Sequence, residues 1–422
     1  MSAFEWISEG GRLVIQIMLS ILGWSLVAPF ALLIPRRKDL IVVIGRNGGT
    51  FVDNAKSFFL QAQIYKKNGI QCTWVTEHCS VLCRLQAKDL PVIMYPSVKG
   101  FWFLLRTGVV VVDSFDWYLK FRHFLLCGSK KVQLWHGVGF KFIEDDKVKN
   151  EANEKSWISN KFISQVRLIM RNFTGRRVRY ALVNTTSEFY LDKVFRTAFS
   201  SRYFSAFGYP RNSFNFEETF LLGADHKIMK NAMSWSEAGR DIFLIAPTFR
   251  ESRASPMGLD EEACLILNDW CELNCAEIVF KFHPWDHAGG AIQGKHLHLY
   301  DSDADFYPLM GLASGLVTDY SSIYMDFLLK DKPVYFLISD LDDYVDLDRK
   351  IQFDYNKMTP GPKVSTWIDL LRAIEMQQVC DEFKSQRQEL VNKAFDNLQQ
   401  LNATPKLMKF MLEKGWLRGR EH

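Results

Sequence analysis

Two stretches of the chain, Leu40-Ile41-Val42-Val43-Ile44 and Val109-Val110-Val111-Val112, are apolar at every position. A strand with one face in water alternates apolar and polar residues. An unbroken aliphatic run instead needs cover on both faces, as a central strand of a parallel sheet has between two helix layers. Around these runs, short apolar segments at 72–76, 92–95 and 131–135 alternate with helix-length segments, one running from about 53 to 67 and closed by Gly69. The pattern restarts near residue 240, with strands expected at 241–246, 277–282, 296–300, 315–318 and 333–337. This predicts an α/β protein of two Rossmann-like lobes with a central cleft. The boundaries expected are 37–207 and 208–390 for the lobes, with a helical tail over 391–422. At 422 residues and 48% hydrophobic content the chain can fill two such cores.

In open parallel sheets, ligands sit beyond the carboxyl ends of strands, so the chemistry is sought there. The first strand runs into Arg46-Asn47-Gly48-Gly49. The strand at 131–135 ends in His136-Gly137-Val138-Gly139, where glycines admit a ligand close to the backbone and a histidine can take a proton. Lys281 and Phe282 lead into His283-Pro284-Trp285-Asp286, a turn that Pro284 keeps out of helical geometry. Thr318-Asp319-Tyr320-Ser321-Ser322 opens a helix through Asp326, offering hydroxyls and unpaired N–H groups to an anion, or simple caps. Arg211, in Gly208-Tyr209-Pro210-Arg211 at the junction of the halves, can offer two donors to a phosphate. Thr248 and Arg250, in Ala246-Pro247-Thr248-Phe249-Arg250, can add phosphate ligands. Asp301, Asp303 and Asp305 precede a helix and are read as caps, not metal ligands.

The first 36 residues are of another kind. Residues 13–34 carry no charge and are long enough to span a bilayer core as a helix, with Arg36, Arg37 and Lys38 directly behind. The positive-inside rule places these basic residues and everything after them in the cytoplasm. Gln16, Ser20, Gly23, Ser25 and Pro29 make an in-plane or re-entrant anchor the main alternative to a span, with a buried core helix the third. A second basic-apolar stretch, 157–180, is a candidate membrane contact or a lobe-covering helix. The net charge of +4 suits an anionic substrate or surface better than extensive nucleic-acid binding. Eight scattered cysteines form no CxxC pair, so neither a disulfide nor a metal site is expected.

Taken in order and spacing, Trp135-His136-Gly137, Gly208-Tyr209-Pro210-Arg211, Ala246-Pro247-Thr248-Phe249-Arg250, Lys281-Phe282-His283-Pro284 and Thr318-Asp319-Tyr320-Ser321-Ser322 resemble the CDP-glycerol:glycerophosphate glycerophosphotransferase family. The segment 328–336, LLKDKPVYF, is similar too, and the resemblance covers roughly residues 35 to 390. It implies a glycosyltransferase-B-type fold, with acceptor binding in the first lobe, near Gly137 and Gly139, and donor binding in the second. His136 and His283 match the family's two essential histidines. Arg211, Thr318, Ser321 and Ser322 match positions near the donor diphosphate, and Asp326 falls where a ribose contact is expected. The Val138-Gly139 pair departs from the Thr-Pro that the family often carries there.

The resemblance implies transfer of glycerol phosphate, or another polyol phosphate, from a CDP-polyol to a hydroxyl of a teichoic acid or capsule acceptor. CMP is released, His136 acts as base, and no metal or cofactor is implied. The expected partners are the CDP-polyol donor, a lipid-linked or polymeric acceptor and an anionic membrane surface, at the cytoplasmic face of a bacterial membrane. Two alternatives stay open: a nucleotide-sugar glycosyltransferase on the same fold, and a non-catalytic envelope-assembly scaffold, against which the presence of both histidines argues.

Overall fold

The computed structural model of the chain describes residues 9–146, 165, 168–213, 221–248, 256–282, 292–338, 352–396 and 403–419. Seven parallel strands form the first sheet: β1 (Arg37–Ile44), β2 (Gln71–Thr76), β3 (Val92–Met94), β4 (Thr107–Val112), β5 (Lys130–Gln133), β6 (Arg179–Asn184) and β7 (Ser200–Ser205). Their order is β3-β2-β1-β4-β5-β6-β7. The two all-apolar runs are the central pair, aligned from Ile41 against Val109 to Ile44 against Val112, and wholly buried.

The second sheet is also parallel, in the order β10-β9-β8-β11-β12-β13. Its strands are β8 (Asp241–Ile245), β9 (Ala276–Phe280), β10 (Leu297–Leu299), β11 (Gly315–Thr318), β12 (Val334–Leu337) and β13 (Lys363–Val364). The two-lobe architecture expected from the sequence is therefore present. In each sheet the chain winds outward, then returns to the other side of the starting strand, which opens a crevice beyond β1/β4 and beyond β8/β11. The two crevices face each other. Between them runs a buried ion pair, Lys56 Nζ of the helix Asp53–Ala62 to Asp305 Oδ2 of the second lobe, at 2.6 Å.

Two expectations need correction. The stretch 157–180 is not one helix. Residues 157–164, 166 and 167 lie outside the described residues, 168–173 are helical, and Arg179 and Tyr180 begin β6. Of its arginines, Arg171 pairs with Glu144, and Arg177 with Asp145 at 2.6 Å, so part of the basic face is turned inward.

Nor are the last residues a tail. The helix Ala403–Glu413 returns to the first lobe, where Leu407, Met408, Met411, Trp416 and Leu417 join the cluster holding Ile41, Val43 and Val109. The Arg418 N–H donates to the Lys38 carbonyl at 3.0 Å. Arg36, directly behind the apolar segment, is tied into the first lobe. Its half-buried guanidinium donates to the carbonyls of Ala31, Leu104, Leu125 and Cys127.

Candidate active site

The cleft between the crevices has a cavity volume of about 260 Å³. From the first lobe it is lined by Arg46, Asn47, Thr50, Asp53 and His136, and from the second by Pro247, Lys281, Tyr307, Ser321 and Ser322, among others. Two first-lobe residues on the cleft, Asn47 (φ 51°) and Asp53 (φ 67°), and Trp135 (φ 59°), directly before His136, have left-handed backbone, uncommon for non-glycine residues. Side chains hold the Trp135 turn in place. The Gln133 Oε1 accepts from the Trp135 N–H at 2.9 Å, and Asn54 Nδ2 donates to the Trp135 carbonyl at 2.8 Å. The turn delivers the next residue, His136, to the cleft.

His136 Nδ1 lies 3.3 Å from the Asp113 carbonyl oxygen. A carbonyl only accepts, so Nδ1 carries the hydrogen, and the lone pair is on Nε2. Burial, assisted by the Arg46 and Arg211 cations and opposed by Asp53, pushes the imidazole pKa down to about 4. At neutral pH the ring is an uncharged acceptor. Asp113 itself is fully buried, with Oδ2 accepting from the Ala55 N–H at 3.0 Å and Oδ1 without a partner among the described residues. Burial, then the charge of Asp53, push its carboxyl well above the usual range.

Arg211, expected from the sequence near the donor diphosphate, has three partners within the protein. Its buried guanidinium donates to Asp53 through Nη1, to the His136 carbonyl at 2.9 Å and to Asp326 Oδ2 at 2.6 Å, and its Cζ lies 4.3 Å from the Tyr307 ring centre. Burial alone would raise the Asp53 carboxyl, but Arg211 and Arg46 outweigh it and hold it below the usual range. Arg211 and Asp326 thus form an internal strut tying the His136 loop to the second lobe.

The glycines have a related role. A Cβ on Gly139 would stand 2.9 Å from the Cβ of Ser322, and one on Gly137 would stand 3.5 Å from the Ser322 hydroxyl. The His136 loop therefore packs directly on Ser322, and Gly139 is what permits it. In the second lobe, Thr318 is buried and donates to the Ala246 carbonyl at 2.7 Å, while Thr248 donates from N and Oγ1 to Asp319. Both hold the second crevice together. Lys281 faces the cleft with Nζ 2.9 Å from the Asp301 carbonyl, and burial, then Arg46, push its pKa down to about 8. His283 and Arg250 lie outside the described residues. Sequence reasoning passed over Asp53, Lys56 and Asp113. The signal available was their place just after β1 and β4, at the switch point. Asp305, read as a cap, is the ion-pair partner of Lys56.

The family model of CDP-glycerol:poly(glycerophosphate) glycerophosphotransferase matches residues 26–413, nearly the whole chain. The chain belongs to this family. Membership places it among polyol-phosphate transferases of teichoic acid synthesis. Over 366 residues it is 24% identical to a teichoic acid poly(glycerol phosphate) polymerase of Bacillus spizizenii, covering 83% of this chain and 86% of that one. It is also 24% identical to a teichoic acid glycerol-phosphate transferase of Staphylococcus aureus, covering 82% and 86%. The Bacillus subtilis polymerase is longer, and the 26%-identical match spans 37% of it. Among solved structures, this transferase superposes on the wall teichoic acid polymerase TagF with a TM-score of 0.67 at 16% identity, over 96% of this chain and 97% of that one. The glycosyltransferase-B-type fold is thereby shown.

Proposed function

We propose that this transferase moves a polyol phosphate, glycerol phosphate in the first instance, from its CDP ester to a hydroxyl of a growing teichoic-acid-type acceptor at the cytoplasmic face of the membrane. The acceptor hydroxyl oxygen attacks the phosphorus bearing the polyol, and a phosphodiester forms. The bond from that phosphorus to the bridging oxygen breaks, and CMP leaves with the electron pair. The hydroxyl proton passes to His136 Nε2. The observation that carries this reading is the tautomer: Nδ1 is committed to the Asp113 carbonyl, and the neutral ring offers a lone pair to the cleft. With Arg211 occupied by carboxylates, charge on the diphosphate falls to Lys281 and Arg46, with hydroxyls from Ser321 and Ser322. Arg46 is part-exposed, with Nη1 3.7 Å from Asp53 Oδ2. The diphosphate that these cations receive raises the His136 pKa toward the working range of a base.

A UDP-linked Staphylococcus aureus structure, MnaA, shares the fold at a TM-score of 0.53, so a sugar nucleotide belongs in the test. Purified protein is given CDP-glycerol, CDP-ribitol and UDP-sugars, with and without a polyol-phosphate primer, and nucleotide release is followed. Acceptor-dependent CMP release is expected, falling about 10²–10⁴-fold in His136→Ala with donor affinity retained. UDP release without CMP would move the chain to the sugar-transferase reading. Near-native rates in His136→Ala would remove the base.

A further inference from the structure

Four consecutive residues at the start of one helix each bind a different part of the active site. They are Asp53, Asn54, Ala55 and Lys56, the first turn of the helix Asp53–Ala62, and all four are buried. Asp53 pairs with Arg211. Asn54 Nδ2 donates to the Trp135 carbonyl at 2.8 Å, and its Oδ1 accepts from the Arg211 N–H at 3.4 Å. The Ala55 N–H donates to Asp113 Oδ2 at 3.0 Å, and the Asp113 carbonyl in turn holds His136 Nδ1 at 3.3 Å. Asn54 and Ala55 thus fix His136 from two sides, one through the turn that precedes it and one through the ring's own acceptor. Lys56 reaches the other way, and its Nζ meets Asp305 Oδ2 at 2.6 Å. Asp305 is rooted in the second lobe. Its N–H donates to the Gly223 carbonyl at 2.8 Å, its carbonyl accepts from the Tyr300 hydroxyl at 2.6 Å, and its Oδ1 accepts from the Tyr307 N–H at 3.4 Å. The lobes touch at the same place, where a Cβ on Gly223 would overlap the Phe51 carbonyl oxygen.

We propose that Lys56 is a positioning residue for the transfer: paired with Asp305, it makes the aim of His136 depend on how the second lobe is seated, and so brings base and donor into register. This rests on the proposed reaction and assigns the residue that aligns its two halves. Asp305 lines the cleft together with Ser302, Phe306 and Tyr307, whereas Lys56 is not among the lining residues. Lys56 therefore acts on no substrate atom, and its route to His136 is the helix itself. Successive helical residues are about 1.5 Å apart along the axis and hydrogen-bonded into one turn, so a displaced Lys56 carries Ala55 and Asn54 with it. A shift of about 1 Å at a reacting group is enough to cost about 10²-fold in rate. The charge makes the contact selective. Burial pushes the Lys56 side chain toward the neutral amine, and Asp305 opposes this, so the buried ammonium depends on its counter-ion. An apolar side chain tolerates neighbouring registers of packing, whereas a buried ion pair is satisfied at one.

Full-length Lys56→Met and the charge-free pair Lys56→Met/Asp305→Asn are compared with the parent. The single change leaves the Asp305 carboxylate buried without that cation, so Tm should fall. The pair removes both charges and keeps an oxygen for the Tyr307 N–H, so most of the Tm should return. Rate should not return with it. In both variants kcat for CMP release onto a polyol-phosphate primer should lie about 10–100-fold below the parent, with KM for CDP-glycerol within about threefold. Should the single variant fail to fold, the pair alone decides. The imidazole gives a readout independent of turnover. In nitrogen NMR of histidine-labelled protein, with His136→Gln to assign the signal, the parent His136 should show the Nδ1–H form. Both variants should shift or broaden that signal while the other histidines hold their positions. Recovery of kcat together with Tm in the paired variant would reduce the ion pair to a stabilising contact and overturn the proposal. An unmoved His136 signal would overturn it too, as would a raised donor KM at unchanged kcat. A parent that releases no CMP, with its His136 signal still moved by Lys56→Met, would sink the proposed reaction and leave the coupling of the lobes standing.

Discussion

Replacing Arg211 by methionine separates two accounts of the cleft. Arg211, Asp53 and Asp326 side chains are each at most 2% exposed, and the guanidinium is the shared partner of both carboxylates. Methionine keeps much of the volume and leaves two carboxylates buried near each other without that cation. Removing one partner of a buried ion pair typically costs about 3–5 kcal/mol. Two stranded carboxylates would cost more, but protonation offers relief, so about 3–5 kcal/mol is a reasonable expectation at pH 7.5. For domains of this order each kcal/mol shifts Tm by about 2–4 °C, so Tm should fall by at least about 6 °C.

The loss must also depend on pH. Asp326 is already held above the ordinary carboxylate range by burial, with Arg211 opposing. Without the arginine, both carboxyls take up protons more readily. The folded variant therefore binds more protons than the folded parent, and the gap between them should narrow as pH falls toward 5. Thermal unfolding of both proteins across that range, with CMP-release kinetics at pH 7.5, is the assay. If Arg211→Met left Tm within about 2 °C, near 1 kcal/mol or less, and raised only the KM for donor, Arg211 would be a phosphate ligand and the strut would be wrong.

Two further outcomes follow from contacts already described. Gly139→Ala should lower kcat by about 10–100-fold, because its Cβ displaces Ser322, whereas Gly137→Ala meets only ordinary contacts and should stay within a few-fold; equal effects would refute the packing argument. His123 is buried among Trp24, Trp117 and Phe124 with neither ring nitrogen partnered among the described residues, and burial, then Lys131, push its pKa down to about 3. The unfolded chain protonates it near 6.5, so the neutral ring's contribution is complete above that pH and is lost as pH falls toward 3. By pH 5 the loss is about 2 kcal/mol. His123→Phe should accordingly show a flatter fall of Tm between pH 7.5 and 5, and parallel curves would contradict this.

What could be read in the sequence was whatever rests on periodicity or on strand ends. The all-apolar β1 and β4, the restart at β8, and the placing of His136, Lys281, Ser321 and Ser322 on the cleft all follow from such signals. The strands β6 and β7 did not announce themselves. RYALVN begins inside an arginine-rich run with helical spacing, and SSRYFS, the edge strand, has no apolar run and is only half buried along most of its length. The fate of Arg211 was invisible for a different reason: its partners lie 158 and 115 residues away, and no local pattern distinguishes an arginine bound for phosphate from one bound for two buried carboxylates. The Lys56–Asp305 pair spans 249 residues and is hidden in the same way.

The return of the C-terminal helix to the first lobe has consequences for how the molecule can be handled and how it can move. The polypeptide passes from one lobe to the other and back again, so no single cut yields two complete halves. A fragment ending near residue 207 would expose the apolar floor that Leu407, Met408, Met411 and Trp416 cover, and would be expected to aggregate unless the last helix were supplied as a peptide. Two covalent crossings, with the Lys56–Asp305 ion pair and the Arg211 strut between the lobes, also oppose a swivel of one lobe on the other and keep the His136 loop seated against Ser322.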